Sequence, residues 1–279
     1  MRLGIVWTLL LAGGATLAAP PTPRALTFQD RVRAQEAIER VYYSHQLGVT
    51  KPFEQAVPRD VLEAKVRKYL DETTALEAQW RTSVTDEMLQ RELARMAGGT
   101  RMPERLLELY AALGNDPFLV KECLARATLV DRLAHNFYAL DATLHAQARA
   151  RAEELHRLVM SGAVSATAEH PNRTITRSVL SDNPDPAAPE SLPFVERLSR
   201  DEFRQRRADL PLRVGQLSAI RETPDSLSFV VLLQESPTEL RVATFEVAKT
   251  SWDEWWLGAQ ATLSGRTVTA VASSGVELP

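Results

Sequence analysis

Residues 84–137 read VTDEMLQRELARMAGGTRMPERLLELYAALGNDPFLVKECLARATLVDRLAHNF, and this run decides the fold of the first half of the chain. Its apolar residues recur every three or four positions between short breaks, the pattern of three amphipathic helices in series. Thr85 is placed to N-cap the first, with Asp86 and Glu87 at its positive end and Met88, Leu89, Leu93 and Met96 along one face. Gly98-Gly99 ends it. Pro103 suits the first turn of a second helix carrying Leu106, Leu109, Tyr110 and Leu113, and Gly114-Asn115, a pair tolerant of positive φ, closes it. A third helix starts at Asp116-Pro117, with an expected buried face of Leu119, Cys123, Val130, Leu133 and Phe137.

Two longer helices precede this run. Thr27 and Asp30 form a capping-box start, followed by one stripe of Phe28, Val32, Ile38, Val41, Tyr42 and His45 that ends near Gly48. After a linker containing Pro52 and Pro58, a second stripe places Leu62, Val66, Tyr69, Leu76 and Trp80 at helical steps. Stripes of this kind serve core packing first, and what remains of their apolar surface is available as a groove. Downstream of Phe137, the stretch LDATLHAQARARAEELHRLVMSG predicts one more long helix with Leu144, Ala148, Ala152, Leu155 and Val159 on one side and Gly162 at its end.

From Ala163 to Pro193 the texture changes to loops with at most a short strand at Thr174 to Leu180. A short helix is expected at Ser199 to Ala208. Val214 to Ile220, Ser228 to Gln234 and Leu240 to Ala248 then read as strands, separated by Thr223-Pro224-Asp225 and Ser236-Pro237 turns, which gives a small antiparallel sheet. The expected class is therefore α+β, mostly helical at first and with the sheet behind. Ser251-Trp252-Asp253-Glu254-Trp255-Trp256-Leu257 follows, three of the chain's five tryptophans in one short segment, and its simplest role is a helix docking on the N-terminal bundle.

The chain has 279 residues, 44% hydrophobic and 25% charged, enough for one large or two modest cores. Its formal charge of -3 lacks the basic excess of a nucleic-acid surface, so no nucleic-acid partner is expected. At the N-terminus, Met1-Arg2 precedes the apolar run LGIVWTLLLA and the small residues around Thr16-Leu17-Ala18, the pattern of a secretory signal peptide over residues 1–18. Export is the expectation, with an uncleaved membrane anchor as the alternative. The single cysteine, Cys123, has no partner for an internal disulfide and reads as a small core residue.

Catalytic patterns are thin. The five histidines, His45, His135, His145, His156 and His170, show no ligand pairing at three or four residues, and His145 and His156 on one helix face lie about 16 Å apart along its axis. No GxSxG elbow, P-loop or dinucleotide fingerprint occurs, so no metal, nucleotide or other cofactor is expected and no catalytic residue is assigned.

The phrases VTDEMLQRELARM, LLELYAALGNDPFLVKECL and VDRL, together with the two helices before them, resemble the N-terminal domain of SurA-type exported chaperones and of their relatives, the parvulin-class prolyl isomerases. The likeness covers roughly the first half of the chain after the signal segment, and a weaker one continues to about Lys249. There RVGQLSAIRETPDSLSFVVLLQES is similar to the closing segment of a parvulin domain, with Phe229 at the position of the family's final catalytic-site histidine. The first strand that carries another family histidine has no counterpart, since His145 sits in a helix-forming run, and the glycine-rich middle is absent. After the signal peptide at 1–18, the resemblance implies a helical chaperone-like domain at 19–140 and a degenerate parvulin-like domain at 141–249, with a Trp-rich segment and tail at 250–279. It implies an ATP-independent holdase for unfolded envelope or secreted polypeptides in the periplasm or outside the cell. Client contacts are then expected from Met96, Met102, Tyr110, Phe229, Trp252, Trp255 and Trp256. The alternatives are an active prolyl isomerase with a rearranged site and a non-catalytic envelope assembly subunit.

Overall fold

A computed structural model of the chain describes residues 24–181 and 194–273, with side chains of the last helix through residue 262. Residues 1–23, which include the expected signal peptide, 182–193 and 274–279 lie outside the described part. The N-terminal half is all helix: α1 (Phe28–Ser44), a single turn α2 (Phe53–Ala56), α3 (Arg59–Trp80), α4 (Asp86–Gly99), α5 (Pro103–Ala112) and a long helix from Pro117 to Leu140. Thr27 and Asp30 form the capping box, and Thr85 accepts from the Met88 N–H. Gly114 and Asn115 both take positive φ, 68° and 51°, as the break after α5 requires.

The long helix is not uniform. It opens as α6 (Pro117–Leu119), widens into a π-helical turn over Val120–Ala125 and continues as α7 (Arg126–Leu140). The Arg126 N–H reaches back five residues to the Lys121 carbonyl, while the neighbouring Glu122 carbonyl accepts from Arg31 at 3.0 Å. Arg31 also pairs with the Glu122 carboxylate, which Arg126 grips from the other side. Burial opposes charge on Glu122, but the two guanidiniums outweigh it and hold its carboxyl below the usual range. Cys123 lies buried in this turn, its thiol pushed up to about 11 by burial, which leaves it protonated and unreactive at neutral pH.

Two of the apolar clusters that hold the bundle are built around α1. Val32, Leu62, Val66, Tyr69, Leu76, Val130 and Ala134 join α1, α3 and α7, and Ala34, Ile38, Leu109, Leu113, Val120, Cys123 and Leu124 join α1 and α5 to the π turn. The expected stripes are largely correct, with three exceptions. Tyr42 and His45 lie at the surface, Tyr42 beside α4 and α5 and His45 paired with Glu108 of α5, and Phe137 is 37% exposed with its ring stacked on Trp80.

The second half packs α8 (Ala146–Met160) on one face of a five-stranded sheet and α9 (Arg200–Ala208) on the other. The strands are β1 (Arg173–Leu180), β2 (Val195–Leu198), β3 (Arg221–Glu222), β4 (Ser226–Glu235) and β5 (Glu239–Ala248), in the order β2-β1-β5-β4-β3. This sheet is mixed, not antiparallel, because β2 runs parallel to β1. The stretch 214–220 forms no strand of its own. It follows the edge of β4 through a single bridge, Leu217 to Val231, and through bonds from Gly215 and Ser218 N–H to the Leu232 and Val230 carbonyls. Its Val-Leu-Ile composition imitates a strand, but Gly215 at φ 83° turns the backbone out of the ladder. Helix α8 starts one residue after His145, so Leu144 and His145 belong to the turn before it. The last helix, α10 (Trp252–Ser273), returns from the sheet to α3 and α7. Among the described residues no helix is long and apolar enough to cross a membrane.

Candidate functional site

The end of α4 and the start of α5 form a shallow cleft against α1. Gly98-Gly99 lets α4 stop without a bulky side chain, the Thr100 N–H closes its last turn on the Met96 carbonyl, and the Met102 N–H donates to Thr100 Oγ1 at 3.0 Å. The chain thus turns sharply, and Met96 and Met102 from either side of the turn line one opening. Leu106 and Leu109 of α5 and Tyr42 of α1 complete its apolar lining. The cavity is about 390 Å³, with Met102 55% and Tyr42 45% exposed. An unbranched methionine adapts its shape to what it meets, so a methionine-lined cleft suits ligands of varied outline.

Arginines surround this apolar lining. Arg95 donates from Nε and a terminal nitrogen to the buried carboxylate of Glu92, which Arg132 also holds at 2.6 Å. The Arg95 hydrogen bond and then that of Arg132 keep the Glu92 carboxyl below its ordinary range. Arg105 Nε stands 3.5 Å from Glu108, whose carboxylate is already bound to His45 at 2.6 Å.

A second apolar surface surrounds α10. Trp252 stacks on Trp256 with centroids 5.1 Å apart, meets Tyr138 edge-on at 5.4 Å and lies 4.1 Å from the His135 ring. Trp255 leans on Tyr138 and Trp80, and the Trp80 indole N–H donates to Asp141 at 2.9 Å. Trp256 is buried against Ala75, whereas Trp252 and Trp255 are only partly buried.

The residues expected to contact clients therefore divide. Met96 and Met102 share the cleft, and Tyr110 lies half-buried in the adjoining α1–α5 cluster outside it. Trp252 and Trp255 are partly open and Trp256 is packed away. Phe229 is a correction: at 2% exposure it stacks on its cross-strand partner Phe245 beneath α8, and no external peptide reaches it in this fold. A phenylalanine at the centre of an alternating strand is a core residue by pattern alone. Sequence reasoning missed Tyr42 and Leu106 because both fit a buried helical stripe, and it missed the arginines because their convergence depends on the turn between α4 and α5.

The histidines do not converge. His45 pairs with Glu108, His135 covers Trp252, His145 is buried with Nε2–H donating to the Tyr138 carbonyl, His156 donates to the Ser218 carbonyl, and His170 Nδ1 accepts from Asn172. Among the described residues no group of three or more His, Cys, Asp or Glu side chains is arranged to hold a metal. Compared with protein-family models, curated proteins and solved structures, the chain matches none.

Proposed function

We propose that this protein is an exported, ATP-independent holdase that captures unfolded polypeptides, built as a SurA-like helical domain followed by a parvulin-like unit without a catalytic set. The observation that carries this reading is the open methionine-lined cleft between α1, α4 and α5. Burying an apolar side chain is worth about 1.5 to 3 kcal/mol, so two or three client side chains in the cleft and on the Trp252–Trp255 edge give weak, reversible capture once ordering costs are subtracted. No nucleotide is needed to release so weak a complex. Charged residues around both surfaces keep the loaded protein soluble.

We assign no isomerase activity to the parvulin-like unit, an active isomerase with a rearranged site being the alternative. Rotation about Xaa-Pro has a barrier of about 18 to 20 kcal/mol, and lowering it requires groups that bind the twisted amide better than the planar forms. On the alignment proposed, the position of the family's final histidine is the buried Phe229, and the histidines of this chain face separate surroundings. Export rests on residues 1–18, which lie outside the described part.

The test is dilution of an unfolded β-rich envelope protein into buffer with the purified protein at equal concentration and no ATP, followed by light scattering. Suppressed aggregation, weakened by Met102→Ser and Tyr42→Ser together, is the expected result. A folded protein that leaves scattering unchanged sinks the holdase reading, and tight binding to one native protein instead would mark an assembly subunit.

A further inference from the structure

We infer that the α1–α4–α5 cleft selects apolar polypeptide segments that carry carboxylates. This rests on the holdase reading and names the chemistry of the client at one of its surfaces. Three arginines, Arg95, Arg101 and Arg105, line the cleft together with Tyr42, and no carboxylate is among its lining residues.

The charges on this rim are only partly answered from within. Glu92 is one carboxylate serving two guanidiniums, those of Arg95 and Arg132. Glu108 divides itself between His45 and Arg105, and the buried Nε of Arg105 has no hydrogen-bond acceptor among the described residues. Arg101 is exposed in the turn between α4 and α5 and makes no ion pair among the described residues. The cleft therefore combines an apolar lining of Met96, Met102, Leu106 and Leu109 with guanidinium donors in excess of their acceptors. A carboxylate arriving with an apolar segment meets planar donors suited to bidentate pairing, and its own side chains exclude water from the pair. An amide in its place accepts fewer and weaker bonds, and an ammonium is repelled.

The experiment uses the purified protein and three short Leu/Phe-rich peptides of one length, the first with interspersed aspartates, the second with asparagines and the third with lysines at the same positions. Each carries a neutral fluorophore, and binding is read by anisotropy. The aspartate peptide is expected to bind about tenfold more tightly than its asparagine twin, a difference of about 1.4 kcal/mol, with the gap closing as salt rises from about 0.05 to 0.5 M. Arg101→Gln removes most of the gap, and Arg101→Glu shifts preference toward the lysine peptide. Arg101 is solvent-exposed and both variants are expected to fold, as circular dichroism would verify. Equal affinity for the aspartate and asparagine peptides, with aggregation still suppressed, overturns charge selection and leaves the holdase reading standing. Suppressed aggregation with no peptide bound moves client capture away from the cleft and also overturns the proposal. Binding of decanoate without either peptide would reassign the cleft to a fatty acid. Loss of aggregation suppression with selective peptide binding intact would instead remove the holdase reading and keep the cleft's chemistry.

Discussion

Two buried glutamates show how the same side chain acquires opposite electrostatics. Glu72 of α3 is fully buried against α7, and Lys68 Nζ lies 3.0 Å from Oε1 while neither oxygen accepts a well-directed hydrogen bond among the described residues. Lys68 is shared with Asp131, so burial dominates and raises the Glu72 carboxyl above its ordinary value. The folded state then holds its proton to higher pH than the unfolded chain, and this residue's contribution falls as pH rises through that window. Glu72→Gln is expected to stabilise the protein by about 1 kcal/mol at pH 7, roughly 2 to 4 °C in Tm, with the advantage disappearing as pH falls below the window. Glu92 is as deeply buried but carries Arg95 and Arg132, which hold its carboxyl low. Its contribution is present at neutral pH and lost as pH falls through its depressed range. Glu92→Gln should cost about 2 kcal/mol at pH 7, kept from being larger because both arginines are half exposed and can turn to water. Thermal melts of the two variants from pH 3 to 8 should therefore diverge from the parent in opposite senses, and parallel curves would refute the assignment.

At the scale of elements, α10 is held to the bundle by aromatic contact more than by its own pattern. Trp256 is its one tryptophan that is nearly fully buried, between Trp252 and Ala75. Trp256→Ala should cost about 3 kcal/mol, the usual loss for a large buried aromatic. If α10 docks as described, near-ultraviolet circular dichroism from the stacked indoles should also diminish, and unchanged aromatic spectra would show that the helix is held elsewhere. The docking itself was legible in the sequence, since three tryptophans in five residues after a strand have few other places to go. So were α1, α3, α4 and α5, from their apolar spacing together with the Thr27 and Thr85 caps, the prolines that open α3 and α5 and the glycines that end α4 and α5, local chemistry that needs no tertiary context. The sheet was harder. In β1 only Ile175, Val179 and Leu180 are large and apolar among Arg and Thr, and β2 is VERL, too short for alternation to register. Their pairing is set by burial of Ser178, Leu180 and Leu198 between β5 and α9, which is a tertiary fact. The π turn at Val120–Ala125 leaves no mark on periodicity because it adds a single residue, and it stands where Arg31 reaches the Glu122 carbonyl. Of the candidate site, apolar residues were readable as types, but whether they face a core or a cleft was decided by where α1 ends and how 99–102 turns.

Across the whole molecule, the helical bundle and the sheet meet at one short junction, and Lys249 is its centre. This lysine follows β5, is fully buried, donates to the Ala139 carbonyl of α7 at 2.8 Å and pairs with Glu222 of β3 at 2.9 Å. Glu222 in turn takes Arg149 of α8 at 2.7 Å, and Lys249 first, then Arg149, hold its carboxyl below the ordinary range. The Tyr138 hydroxyl donates to the Thr250 carbonyl just beyond, with the Ser251 carbonyl 3.1 Å away. One ammonium therefore joins the end of the bundle, the sheet edge and the helix that covers the sheet. Lys249→Met fills similar space but leaves the Ala139 carbonyl without its donor, while Glu222 keeps Arg149. The expected cost is about 2 kcal/mol overall. If the junction transmits stability between the two halves, hydrogen exchange should accelerate selectively around Ala139 to His145 and Lys249 to Trp252, with the cores near Val66 and Phe245 little changed. Uniform acceleration through both cores would mean that the halves unfold as one unit and that Lys249 contributes only its share of the total.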